Sequence, residues 1–478
     1  SEPVDLAGRA LLPGLCDAHL HLVLAAFDAA DMDCRGASDP EALAALVRSG
    51  AARVPSGRWI TGSGWERRTV FADREPRLGI LDEAAPGHPV LLVSKDVHSA
   101  WMNGAALARM ASLPGPPPSC TMHRDANGRP TGLVFEDILE LRRRLVPPPT
   151  AAETPDLVEA FIRRLHALGI TAVHSNEPVG DLELYRSYLQ DRDRPWVRAL
   201  WNVVPPRPEE VGASFRRAVA QEVPERLGAG GVKLFLDGTF GSRTAALSEP
   251  YVGSDERGIL VMDAAELRRW VAAIREVGTH AVVHVIGDRA VELAVSELRA
   301  VSWAPGTRHR LEHAQLLPES LLSGPPLDDL VVSAQPSHMW GDREIVEHHL
   351  PAGLWQRRAY LLRSAIERGA LLVLGSDAPV EDPEVWRGVQ AAVTRLEGDG
   401  RRPWNGAERL TVAEALTAHT AGPARIHGRC FATGVLAPGR LADLVALEPD
   451  PFAVDPACLR AGVRTAMTFL DGDPVFTA

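Results

Sequence analysis

A pair of histidines stands near the start of the chain, in Pro13-Gly14-Leu15-Cys16-Asp17-Ala18-His19-Leu20-His21. Side chains alternate along a strand, so His19 and His21 point one way and Leu20 the other. Imidazoles placed like this can grip one metal ion, although polar residues that merely end a strand would look the same. Farther on, Gly231-Val232-Lys233-Leu234-Phe235-Leu236-Asp237 sets a lysine among apolar residues. A buried ammonium is costly, so Lys233 is expected to be paired, neutral or modified. Carbon dioxide adds to a lysine amine to give a carbamate, whose oxygens can bridge a pair of metal ions; a salt bridge to Asp237 is the rival. His284, in Val283-His284-Val285, and His313, in Arg310-Leu311-Glu312-His313, each stand at the end of a predicted strand. Taken singly, each reads more plainly as a hydrogen-bonded core histidine. Asp377, in Gly375-Ser376-Asp377-Ala378-Pro379, can both ligate metal and move protons.

A repeated unit positions these residues. Short β-branched runs end in turns and lead into segments of helical period, the pattern of βα units and a parallel sheet. Strands are predicted at 11–19, 169–175, 197–204, 231–236, 280–286, 308–314, 330–335 and 371–376. The fold class is therefore α/β, a closed (β/α)8 TIM barrel. Chemistry in such a barrel gathers at the C-terminal ends of the strands. His19, His21, Lys233, His284, His313 and Asp377 all fall there, which chance does not arrange. Helices are predicted at 154–168, at 263–278 behind Asp263 and Glu266, and after Thr411 with Glu414; Asp288 is expected to cap another.

The barrel is expected to occupy 11–429, with an inserted subdomain over about 25–150 where strands one and two are far apart. Residues 1–10 and 430–478 read as a small β-sandwich. Residues 1–12 look like a strand end running straight into a motif, as though a segment preceded them.

The chain has 478 residues, 45% hydrophobic and 24% charged, ordinary for a globular protein larger than one simple core. Its net charge of −11 is scattered and forms no basic stripe, which argues against nucleic acid as a partner. No apolar run approaches the ~18 residues of a membrane helix, and no signal peptide is apparent. The five cysteines, Cys16, Cys34, Cys120, Cys430 and Cys458, are far apart and suggest no disulfide set. A cytoplasmic protein acting on a small-molecule substrate is expected; a homo-oligomer stays open.

Further motifs sharpen the reading: His98-Ser99-Ala100-Trp101-Met102-Asn103, Asp237-Gly238-Thr239-Phe240-Gly241-Ser242-Arg243-Thr244-Ala245 and Gln335-Pro336-Ser337-His338-Met339. Together with the histidine, lysine and aspartate order, they resemble the amidohydrolase superfamily. Within it they are most similar to amidohydrolase family 3, the YtcJ-like branch that includes N-substituted formamide deformylases. The likeness runs from about residue 9 to the end. It implies a binuclear divalent-metal centre, expected to be zinc. His19 and His21 would hold the more buried ion, His284 and His313 the second, Lys233 would bridge them as a carbamate, and Asp377 would bind at the mouth.

The reaction implied is hydrolysis of a carbon–nitrogen bond of amide or formamide type, by a water that the metal makes acidic. Asp377 would be the catalytic proton carrier. His98, Trp101, Arg243 and His338 are the expected substrate contacts, and the insert is the expected source of specificity. Glu66 follows Trp65 where the family pattern has aspartate. The same centre would also suit ester or lactone hydrolysis or isomerisation, and a non-catalytic binding protein is a further alternative.

Overall fold

The computed structural model describes residues 5–29, 31–71, 76–95, 99–114, 120–135, 138–396, 402–427 and 430–478. The chain divides into two compact units, Ser1–Ala25 with Val158–Ala478, and Ala26–Leu157.

In the larger unit eight parallel strands lie side by side in chain order: Leu15–Leu20, Ile170–Glu177, Arg198–Val203, Leu227–Phe235, Ala281–Val285, His309–His313, Leu330–Ala334 and Leu371–Leu374. These are the predicted barrel strands. Most are buried along their whole length, as expected of a parallel sheet covered by helices. The segment just past the last strand meets the C-terminal end of the first, where Asp377 donates its backbone N–H to the His19 carbonyl (2.7 Å) and His21 donates to the Ala378 carbonyl (2.9 Å).

The predicted strand 11–19 is two strands. Ala10–Pro13 pairs antiparallel with Leu444–Glu448, and Leu15–Leu20 enters the barrel. The break falls at Gly14, where a Cβ would lie 2.2 Å from Thr171 Oγ1, so only glycine lets the chain change sheets there.

The terminal segments form one antiparallel sheet of four strands, Ala10–Pro13, Leu444–Glu448, Arg464–Leu470 and Asp473–Thr477. Among the described residues no second sheet faces it, so the expected sandwich is not what forms. The N-terminal end of the barrel supplies the missing layer. Val445 Cγ2 sits against Gly169, and Thr468 Oγ1 donates to the His166 carbonyl at 2.7 Å.

Helix starts follow their caps. Asp263 accepts from the Glu266 N–H ahead of Ala264–Glu276, which buries Leu267, Trp270, Val271 and Ile274. Thr411 and Glu414 form a reciprocal capping box ahead of Val412–Ala418. Asp288 is a correction: Gly287 holds the cap position, and the Asp288 carboxylate turns to the Ser248 N–H (2.8 Å) and to Arg358 (2.6 Å).

The smaller unit carries a six-stranded mixed sheet whose apolar face includes Trp65, Leu92 and Trp101. Among the described residues no helix is long and apolar enough to cross a membrane.

Candidate metal centre

The strand ends bring His19, His21, His284, His313, Lys233 and Asp377 into one neighbourhood at the C-terminal end of the barrel. His19 lies 5.0 Å, ring to ring, from His313, which is 4.5 Å from His284. Asp377 Oδ1 is 3.2 Å from His19 Nε2 and 3.3 Å from His21 Nε2. One ligand atom each from His19, His313 and Asp377 lies within 4.8 Å of the other two, and all three residues are buried.

Two of these residues reach the centre through unusual backbone. Arg310 and Glu312 share the inward face of strand six, so a regular strand would turn His313 away. His313 instead adopts φ +69° and Ala314 φ +44°, which swings the imidazole inward. Asp377 does the same beyond strand eight with φ +63°. Left-handed backbone costs a non-glycine residue of order 1 kcal/mol or more, strain of the kind that collects at functional sites.

Each histidine has one nitrogen already engaged. His21 Nδ1 donates to the Asn176 carbonyl at 2.8 Å, and His313 Nδ1 pairs with Gln335 Oε1 at 2.8 Å. His19 Nδ1 bonds Glu312, and His284 Nε2 lies 3.3 Å from the Gly238 carbonyl. Such outer bonds orient an imidazole and fix which nitrogen keeps its lone pair. For His19 and His21 that nitrogen is Nε2, facing Asp377 Oδ1. Lone pairs and a carboxylate oxygen at this range repel unless a cation sits among them. The residues present therefore fit a divalent metal.

Electrostatics agree. Burial, with Lys233 nearby, pushes His284 down to about 3. Burial also pushes His313 well below its ordinary value. Both rings are neutral, as ligands must be.

Lys233 is wholly buried, its Nζ 5.0 Å from the centre of the Phe235 ring. Burial pushes the amine down to about 8, against the pull of Glu312 and Asp377. The rival salt bridge to Asp237 does not form. Asp237 instead accepts the N–H groups of Ala246 (2.9 Å), Ile286 (2.9 Å) and Gly287 (2.8 Å), which ties the loop after strand four to the end of strand five.

The expected substrate contacts fare unevenly. His338 sits in the turn after strand seven, its ring stacked 6.3 Å from His313, and its buried Nε2 has no hydrogen-bond partner. Arg243 is exposed on the loop after strand four, φ +57°, 3.0 Å from His349 Nδ1. Trp101 is a correction. Its ring is fully buried in the core of the smaller unit, edge-on to Phe71 at 5.0 Å, with Nε1 on the Thr131 carbonyl, so no face is left for a ligand. His98 lies outside the described residues.

The sequence reading missed Glu312, Gln335 and Asn176, which hold the candidate ligand histidines His19, His313 and His21 from behind. The alternation of Arg310 and Glu312 on one face of a predicted barrel strand was the available signal.

A barrel of parallel strands with convergent metal ligands at its C-terminal end defines a metal-hydrolase class of architecture. The chain matches the amidohydrolase family over residues 2–476 and belongs to it. It is 29% identical to the putative amidohydrolase YtcJ of Bacillus subtilis, covering 100% of this chain and 90% of that protein. It is 26% identical to the N-substituted formamide deformylase of Arthrobacter pascens, covering 99% and 89%. Among solved structures, an uncharacterized metal-dependent hydrolase from Pyrococcus horikoshii superposes with a TM-score of 0.76 at 28% identity, over 95% of this chain and 89% of that one.

Proposed function

We propose that this chain, a metal-dependent hydrolase by family, cleaves a carbon–nitrogen bond of amide or formamide type in a small molecule. The observation that carries the reading is the convergence of His19, His313 and Asp377, with the second nitrogen of each histidine already bonded. His19, His21, His284, His313 and Asp377 would hold two zinc ions, with Lys233 between them as a carbamate. A divalent ion supplies a Lewis acid for a carbonyl oxygen and makes water acidic enough to attack near neutral pH.

Lys233 suits the bridging role because burial lowers its amine to about 8, leaving a reactive neutral fraction in ordinary buffer. Its nitrogen lone pair attacks the carbon of carbon dioxide, one N–H proton leaves to solvent, and an N-carboxylate remains. Asp377 accepts a proton from the attacking water and returns it to the departing nitrogen. The buried Nε2 of His338, which has no hydrogen-bond partner, would donate to or accept from the substrate. Arg243, on the loop after strand four, is the second candidate for gripping substrate.

The test is a comparison of kcat/KM for N-substituted formamides and N-acyl amides against esters and lactones, on zinc-loaded protein. Turnover of amides is expected to dominate. Esters or lactones turned over with no amide hydrolysis would overturn the carbon–nitrogen reading.

A further inference from the structure

Glu312 stands beside the metal ligands without joining them. It is fully buried at the end of strand six, and both of its oxygens are committed. Oε1 accepts from Arg310 Nε at 2.7 Å, and Oε2 bonds His19 Nδ1. Arg310 is itself a hub on the barrel axis, equally shut off from solvent. It donates to His174 Nδ1 on strand two (2.7 Å), to the Ala18 carbonyl on strand one (2.7 Å) and to Ser333 Oγ on strand seven (3.0 Å). Arginine carries five N–H donors in a rigid fork and cannot accept, so these bonds fix which way every partner must face.

The consequence lies in the polarity of the hydrogen bonds. Arg310 can only donate, so Glu312 must accept from it. A carboxylate can only accept, so the His19 bond must carry its proton on Nδ1. We propose that Glu312, clamped by Arg310, is a positioning residue: it locks the His19 proton onto Nδ1 and so keeps the Nε2 lone pair free for the metal. This rests on His19 being a metal ligand, as proposed above. In this role Glu312 acts through the His19 ring and not as a ligand.

Glu312→Gln is the informative change, because it preserves shape and reverses one bond. The amide has one accepting oxygen, while both Arg310 Nε and His19 Nδ1 are donors. The guanidinium is a permanent cation and claims the oxygen. The amide N–H2 then faces His19 Nδ1, where only a lone pair satisfies it, and the ring proton is driven to Nε2, the atom the metal needs. Adding Arg310→Met removes the competing donor, so the amide oxygen can return to His19.

The measurement is zinc affinity of metal-free protein, by titration against a competing chelator, with a thermal melt of each metal-free variant to verify folding. Glu312→Gln is expected to weaken zinc binding ~10–100-fold, the usual cost of losing an outer partner of a ligand histidine. The double variant Arg310→Met/Glu312→Gln should regain at least ~10-fold of that loss, the non-additivity that marks a direct coupling. In wild-type protein labelled with 15N-histidine, the resonance that disappears in His19→Ala should report a proton on Nδ1.

Unchanged affinity in Glu312→Gln, a double variant no tighter than the single, or a wild-type His19 protonated on Nε2 would each overturn the proposal. The last readout decides it even if neither variant folds. If His19→Ala binds zinc as tightly as wild type, the ligand assignment itself fails. If His19→Ala loses zinc and Glu312→Gln does not, only the role of Glu312 falls.

Discussion

At the N-terminal end of the barrel, Arg198 Nε lies 2.6 Å from Asp443 Oδ2 and a terminal nitrogen lies 2.8 Å from Oδ1, with both side chains sealed from solvent. The same arginine bonds the Glu225 carbonyl, and Asp443 also accepts the Asp471 N–H at 3.0 Å. At the opposite end, His19, His313, Lys233 and Asp377 are also sequestered and His21 is partly so, yet the ligand atoms of His19, His21, His313 and Asp377 face one another rather than complementary partners. Buried charge is common to both ends, so it does not mark function. The mark is a set of electron-rich atoms left facing each other while everything behind them is satisfied. Barrels of this kind place chemistry at one end and stability at the other, and here the bonding explains why.

The contrast can be broken most decisively by substitution at each end. His19→Ala with His21→Ala is expected to abolish both zinc binding and hydrolysis while the metal-free protein stays folded, read by metal analysis, turnover and circular dichroism. Arg198→Ala should do the reverse, costing about 3–5 kcal/mol of stability by orphaning Asp443, with kcat of the folded fraction retained. Full activity in the double histidine variant would end the functional reading of the C-terminal end.

Asp377→Asn separates ligation from proton transfer. The amide keeps an oxygen but accepts no proton at neutral pH, so kcat should fall ~10²–10⁴-fold with a much smaller change in KM and only modest loss of metal. Near-normal kcat with the acidic limb of the pH profile in place would move the proton carrier elsewhere.

The mildest effect is expected from pH at Lys233. The neutral amine is the form that captures carbon dioxide, and burial lowers its value from 10.5 to about 8. Reactivation of acid-treated, metal-free protein by zinc at a fixed concentration of dissolved carbon dioxide should therefore quicken as pH rises toward about 8 and level off above it. A rise centred near 10.5 would mean an amine that burial does not perturb.

Much of this was legible in the sequence because the signals were periodic. Alternation put His19 and His21 on one face, and the apolar runs ending in turns gave all eight barrel strands. What escaped depended on local exceptions to periodicity. His313 follows Glu312 and would point outward on a regular strand; only its positive φ, invisible in sequence, brings it in. Glu312 went unnoticed because the search was for ligands and not for what holds them. Trp101 misled in the other direction: an aromatic in a motif reads as a contact, but the smaller unit needed its bulk for a core. The sandwich failed because one sheet can use the barrel itself as its second layer.

The hydrogen bonds that join the first barrel strand to the last have a consequence in time. Asp17 on the first accepts from Ser376 beyond the last, through N–H at 3.0 Å and Oγ at 2.5 Å, across 359 residues of sequence. At synthesis rates of about 5–20 residues per second, roughly 20–70 s pass between the appearance of the first and of the second. During that interval the histidine pair exists without Asp377, a two-pronged chelator with no third arm. The ring of strands closes last, so the full set of candidate ligands comes together only after the eighth strand has been made.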